Sequence, residues 1–147
     1  MRRPLIVSES LLTGSEAETI EAGRRIASRL RPPALVLLIG ELGSGKTTLA
    51  KGIIHGLGAA PVDDVASPTF TLIHEYGRDP KVYHIDLYRL DRVPELESLG
   101  LEDLWSQNAV VLIEWGEKFS GLLPGARLEI RLEHAGETVR RITVAAV

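Results

Sequence analysis

Residues 40 to 47 read Gly40-Glu41-Leu42-Gly43-Ser44-Gly45-Lys46-Thr47, a full match to G-x-x-x-x-G-K-[ST], directly after the apolar run Ala34-Leu35-Val36-Leu37-Leu38-Ile39. The chemistry of that pattern is phosphate binding. Its glycines let successive amides point at phosphate oxygens, its lysine reaches the β- and γ-phosphates, and its Ser/Thr hydroxyl ligates Mg²⁺. A helix opening near Gly45 adds the positive end of its dipole. The strand-like run before the loop and the amphipathic run 47–54 after it favour a nucleotide site over a Gly-rich turn. We therefore expect Gly43, Ser44, Gly45, Lys46, Thr47 and Thr48 to hold a nucleoside triphosphate.

Such loops work with a second, Mg²⁺-directed carboxylate at the end of a hydrophobic strand. Glu114 closes Val110-Val111-Leu112-Ile113 and is the candidate, against the plainer reading of a solvated strand end. Asp86 ends a second β-run, and regular alternation puts His84, Asp86 and Tyr88 on one face. It could orient the attacking water or hold the metal through water; the plainer readings are an N-cap or a pair to Arg89. His84 reads as a hydrogen-bonded structural residue rather than a catalyst. Ser67-Pro68-Thr69-Phe70-Thr71 lies where GTPases keep a switch that orders on γ-phosphate, which makes Thr69 the switch candidate, against a simple strand entry. Arg89 is a candidate arginine finger in cis, against the commoner fate of a salt-bridged surface arginine. Trp105 and Trp115 read as core or interface aromatics, and His55, His74 and His134 lack the spacing of zinc ligands.

The elements that must position these residues are legible in outline. A first strand is expected around 5 to 8. The spacing Ser15-Glu16-Ala17-Glu18 is that of a capping box, and Ile20, Gly23, Ile26, Ala27 and Leu30 continue one helical face, so a helix over roughly 15 to 30 follows. Arg31-Pro32-Pro33 ends it and feeds the strand before the phosphate loop. Gly56 and Gly58 mark the end of the loop helix. Runs 69–73 and 82–87 suggest an antiparallel pair turning at Gly77-Arg78-Asp79-Pro80, and Pro94 opens a short helix. Ala109 to Ile113 is apolar on both faces, as a central strand should be, and runs 127–133 and 138–144 read as two final strands joined at Ala135-Gly136. The expected fold is a three-layer α/β domain of the phosphate-loop NTPase kind, its mixed sheet combining a parallel core with antiparallel strands.

With 147 residues the chain fits one domain, and a chain of this size buries roughly 70 % of its unfolded surface. Seventeen basic against 20 acidic residues give a net charge of −3, so charge-driven gripping of nucleic acid is not expected. Cysteine is absent, which excludes disulfides, thiolate metal sites and cysteine nucleophiles. Charge returns at Glu9 before a signal-type apolar stretch can form, and no window approaches a membrane span. We expect a cytoplasmic protein without membrane contact.

The phosphate loop, Ser67-Pro68-Thr69-Phe70-Thr71-Leu72, His84-Ile85-Asp86-Leu87-Tyr88-Arg89-Leu90 and Ile113-Glu114-Trp115, taken in order, resemble the TsaE (formerly YjeE) family. With Pro94-Glu95-Leu96 the resemblance spans roughly the middle half of the chain. Glu41 and Ser44 stand where the family more often has Asp and Ala. The resemblance implies a bacterial ATPase of tRNA threonylcarbamoyladenosine synthesis, with ATP and Mg²⁺ as cofactors. Lys46 would bind phosphate, Thr47 and Glu114 would hold Mg²⁺, and Asp86 would be the catalytic carboxylate. It also implies TsaD-like and TsaB-like partners, whose complex the ATPase resets between turnovers, with tRNA contacted only through them. The rivals are a small metabolite kinase, for which no Arg-rich lid segment is found, and a non-hydrolysing ATP-dependent adaptor. A GTPase is disfavoured, because the chain has no Asn-Lys-x-Asp motif.

Overall fold

The computed structural model describes residues 8–147. Residues 5–7 of the expected first strand lie outside the described residues, and strand β1 runs Ser8–Thr13. Helix α1 (Glu16–Ala27) starts where the capping spacing places it. Ser15 Oγ accepts from the Glu18 amide at 3.1 Å, while Glu18 Oε1 accepts from the Gly14 amide at 2.7 Å. Strand β2 (Ala34–Ile39) leads into the phosphate loop and helix α2 (Lys46–Gly56). Gly58, at φ +75°, takes the left-handed conformation that closes that helix.

Next come β3 (Ile73–Tyr76), β4 (Lys81–Asp86) and the short helices α3 (Val93–Glu97) and α4 (Glu102–Trp105). The chain then forms β5 (Ala109–Glu114), a kinked 3₁₀ segment at Gly116–Leu122, β6 (Leu128–His134) and β7 (Arg140–Ala146). In α3, two backbone amides, of Asp91 and then Arg92, hold the Glu95 carboxyl below its usual range. The antiparallel pair β3–β4 turns at 77–80 as expected, but β3 begins four residues later than the sequence suggests. Residues 68–72 instead coil into a turn closed by the Leu72 amide on the Pro68 carbonyl at 2.6 Å, with Leu72 at φ +71°. Helix α4 and the two 3₁₀ segments, Val62–Asp64 and Gly116–Leu122, carry too few residues to show a helical period, and the sequence holds no sign of them.

One seven-stranded sheet has the order β1-β7-β6-β2-β5-β4-β3. The four central strands β6, β2, β5 and β4 are parallel, and antiparallel strands flank them on both sides. Alternation along β2 divides the core. Val36 and Leu38 face α1 and α2, whereas Leu35, Leu37 and Ile39 face α3, α4 and the 3₁₀ segment, so three layers result. Helices α1 and α2 touch backbone to backbone: a Cβ on Gly23 would lie 2.5 Å from the Leu49 carbonyl oxygen, and one on Gly52 would collide with that of Ile20. This contact ties α2, which carries Lys46 and Thr47, to the rest of its layer. Among the described residues no helix is long and apolar enough to cross a membrane.

Candidate functional site

The phosphate loop sits at the carboxyl end of β2, between β5 and β6, where open parallel sheets bind their ligands. Gly43 and Gly45 take φ of +78° and +102°, conformations that favour glycine. Gly40 is required by space, since a Cβ there would lie 2.5 Å from Ser44 Oγ and 2.6 Å from the Leu132 carbonyl oxygen. Gly45 is the N-cap of α2 and offers no capping side chain, which leaves amides of the first turn for an outside acceptor. Ser44 is among the residues expected to hold the nucleotide. It is buried inside the loop with Oγ unpartnered, so only its backbone is available.

Lys46 is almost wholly buried, and its Nζ donates to the Gly40 carbonyl at 2.5 Å. The same ammonium stands 3.5 Å from the centroid of the Trp115 ring, which in turn packs against Tyr88 at 5.0 Å. Burial lowers the Lys46 pKa, and the charges of Glu114, Glu117 and Asp86 offset part of that effect.

Asp86 and Glu114 lie directly opposite each other on the adjacent strands β4 and β5. Two like charges side by side need separate donors, and each carboxylate has its own. Asp86 Oδ2 accepts from Thr69 Oγ1 at 3.0 Å and Oδ1 from the Tyr88 amide at 2.8 Å. Glu114 accepts from Thr47 Oγ1 at 3.0 and 3.2 Å and contacts His84 Nε2 at 2.6 Å. The pairing of Asp86 to Arg89 weighed from sequence is not seen, and the Arg89 guanidinium stands 5.4 Å from the Phe70 ring centroid at the surface.

Lys46, Thr47, Thr48, Thr69, Asp86 and Glu114 line one cavity of about 390 Å³, together with Gly43 and Gly45 of the loop. Arg89 does not line it. Thr47 and Glu114 present a hydroxyl and a carboxylate side by side, hard oxygen donors of the kind that bind Mg²⁺ alongside phosphate and water. Among the described residues no three His, Cys, Asp or Glu gather as a metal cage, so a cation here would draw its other ligands from a bound molecule or solvent. A second cavity, of about 350 Å³, shares Gly43, Gly45, Thr48 and Glu16 with the first. It continues past Ser15 and Thr19 to Thr138 and Arg140.

Sequence reasoning put Tyr88 on the face it shares with Asp86, and the cavity lining agrees, but it missed Trp115 as a cavity residue and overlooked the second cavity altogether. One signal was adjacency, since Trp115 follows Glu114. The other was unreadable, because the second cavity joins the β1–α1 and β6–β7 connections across the whole chain. Among the described residues, Leu72 and Trp115, the latter at φ +64°, are the two non-glycine residues with positive φ, and they adjoin the loop that carries Thr69 and the strand end that carries Glu114. Such strained positions cluster at functional sites.

A family model described as "Threonylcarbamoyl adenosine biosynthesis protein TsaE" matches residues 13–142. The chain is 39% identical over 136 residues to the tRNA threonylcarbamoyladenosine biosynthesis protein TsaE of Bacillus subtilis, covering 92% of this chain and 84% of that protein. It is 42% identical over 135 residues to the protein of the same name in Streptomyces coelicolor, covering 86% and 89%. The match to the Haemophilus influenzae protein of that name is 44% identical over 101 residues, covering 68% of this chain and 63% of that protein. Among solved structures, YdiB of Bacillus subtilis superposes with a TM-score of 0.80 at 32% identity, over 99% of this chain and 89% of that one. On the matched span and these identities, the chain belongs to the TsaE family.

Proposed function

We propose that this protein is the ATP-binding and ATP-hydrolysing component of the machinery that makes threonylcarbamoyladenosine beside the anticodon of tRNA. It acts on a complex of TsaD-like and TsaB-like proteins to permit repeated turnovers, and tRNA is held by those partners. The observation that carries the reading is the convergence of Lys46, Thr47, Thr69, Asp86 and Glu114 on one cavity at the mouth of the phosphate loop. The family's role in this pathway supports the biological setting.

On ATP binding, Lys46 leaves the Gly40 carbonyl for the β- and γ-phosphates, and the amides around Gly43 and Gly45 close on the phosphate chain. The second cavity then receives the nucleoside end, because it opens past Thr48, where the chain of phosphates leads. Thr47 and Glu114 would hold Mg²⁺, which would neutralise charge on the transferring phosphoryl group. Asp86 accepts a hydrogen bond from the attacking water, and Thr69, now bonded to Asp86, exchanges that contact for one near the γ-phosphate. Water adds to the γ-phosphorus as the bond to the β-γ bridging oxygen breaks, giving ADP, phosphate and a proton. Leu42, which lines the cavity, and Phe70, next to Thr69 in sequence, are 72% and 83% exposed and support activity completed by a docked protein.

The test is phosphate release from Mg²⁺-ATP by the purified chain, alone and with the TsaB and TsaD proteins. Faster release with the partners is expected. Equal rates with and without them, or transfer of the phosphate to a small molecule, would overturn the reading.

A further inference from the structure

Glu114 is held from two directions, and only one of them belongs to the phosphate-loop chemistry. Thr47 Oγ1 lies 3.0 Å from Oε2 and 3.2 Å from Oε1, a shared contact that does not fix which oxygen faces the cavity. His84 contacts Oε2 alone, at 2.6 Å. His84 lies on β4 opposite Leu112, so it reaches Glu114 diagonally along the same face of the sheet. A carboxylate that ligates a cation accepts hydrogen bonds, so the proton of this contact is assigned to His84 Nε2. The ring is fully buried, and its Nδ1 has no partner among the described residues. An apolar side chain of similar volume would pack there without stranding a polar atom, so packing alone does not account for a histidine.

We infer that His84 is a positioning residue for Glu114. Its Nε2–H keeps Oε2 turned inward, so that Oε1 and the lone pairs of the Thr47 hydroxyl form a preset two-oxygen bracket for the divalent cation that accompanies the nucleotide. The inference rests on the proposed function, since it assigns a role within that cation site. Without His84, the three torsions of the Glu114 side chain are restrained by the shared Thr47 contact alone. Cation binding then has to order the carboxylate itself. Nucleotide binding through Lys46 and the loop amides does not use His84.

The test employs full-length protein, Mn²⁺ followed by electron paramagnetic resonance, and a non-hydrolysable ATP analogue, with analogue affinity also measured in EDTA. Replacing a residue that orients a metal ligand typically costs about 10- to 100-fold in metal affinity, and His84→Asn and His84→Leu are expected to weaken Mn²⁺ binding by about that factor. Neither should change analogue affinity in EDTA. His84→Gln, whose amide nitrogen falls where Nε2 stood while that of asparagine falls at Nδ1, should recover most of the loss. In a Glu114→Gln background, replacing His84 should cost nothing further. Equal Mn²⁺ affinity in the wild type and in His84→Asn or His84→Leu would overturn the inference and leave the proposed function intact. A parallel loss of EDTA affinity, the mark of a merely structural role, would do the same. A wild type that binds neither analogue nor Mn²⁺ would overturn the proposed function itself. Should the Asn and Leu variants fail to fold, the His84 Nε2–H nuclear magnetic resonance signal of the wild type decides. It is expected to shift when Mg²⁺ joins the analogue complex, and an unmoved signal would overturn the inference.

Discussion

Lys46 lies between the Gly40 carbonyl and the face of Trp115, and its burial has a thermodynamic sign. The folded state lowers its pKa beneath the ordinary lysine value of 10.5, so between the lowered value and 10.5 the unfolded chain binds more protons. The contribution of this lysine to stability therefore rises with pH across that window, and below it the buried charge is a full cost. Compared with Lys46→Met, wild-type stability in urea should improve on moving from neutral to alkaline pH; a difference that stays flat would contradict the assignment. The same substitution should abolish nucleotide affinity, since the charge-assisted phosphate contact goes with it. Asp86→Ala should bind nucleotide normally while partner-stimulated hydrolysis slows by about 10²- to 10⁴-fold, the range for a positioned proton acceptor. Single-turnover phosphate release beside equilibrium binding checks this. Lys46, Thr47, Glu114, Asp86 and Thr69 were all legible as candidates, because loop and strand-end chemistry is written in local pattern. What joins them was not: Thr47 meets Glu114 across 67 residues and His84 meets it across 30, and no local period records such distances.

Helices α1 and α2 approach too closely for any side chain at Gly52, whose added Cβ would strike the Ile20 carbonyl and the Gly23 backbone. Gly52→Ala ought to cost about 1–3 kcal/mol as an overpacked contact, despite the better helix propensity of alanine. Urea unfolding measures it, and a gain in stability would show that the helices part easily. The sequence placed Gly23 on the buried face of α1 but could not announce its partner, since a glycine in a helix reads locally as a weakness. Strand β3 shows the opposite failure. Thr69-Phe70-Thr71-Leu72 has strand-like composition, yet the Thr69 hydroxyl is drawn to Asp86 and the turn onto Pro68 closes first. A tertiary contact overrides β propensity there.

At the scale of the molecule, strands β2, β4 and β5 bring their carboxyl ends to one edge of the sheet, and the candidate site is spread along it. Each parallel strand was visible in the sequence, β2 and β5 as apolar runs and β4 and β6 as strand-like runs with polar residues interleaved. Their order was not, because β6 comes last among them in sequence yet packs directly on β2, a crossover that no spacing predicts. With the site distributed over α2, β4, β5 and the loop before β3, a ligand there braces several elements at once. Saturation with Mg²⁺ and a non-hydrolysable ATP analogue at about 100 times Kd should add roughly 2.7 kcal/mol, a rise in Tm of about 5–10 °C. Differential scanning calorimetry checks it, with Lys46→Ala expected to show no rise.

The stacking of Lys46 on Trp115 has an optical consequence. The chain has two tryptophans, and Trp105 lies on α4, outside the lining of the candidate site. An ammonium 3.5 Å from the ring centroid sets the electric field felt by the excited indole of Trp115, and that field changes when the lysine swings to a phosphate. In a Trp105→Phe protein the remaining emission is a gauge of that swing, so each loading and unloading of the loop can be followed by colour and intensity, without a label and in real time.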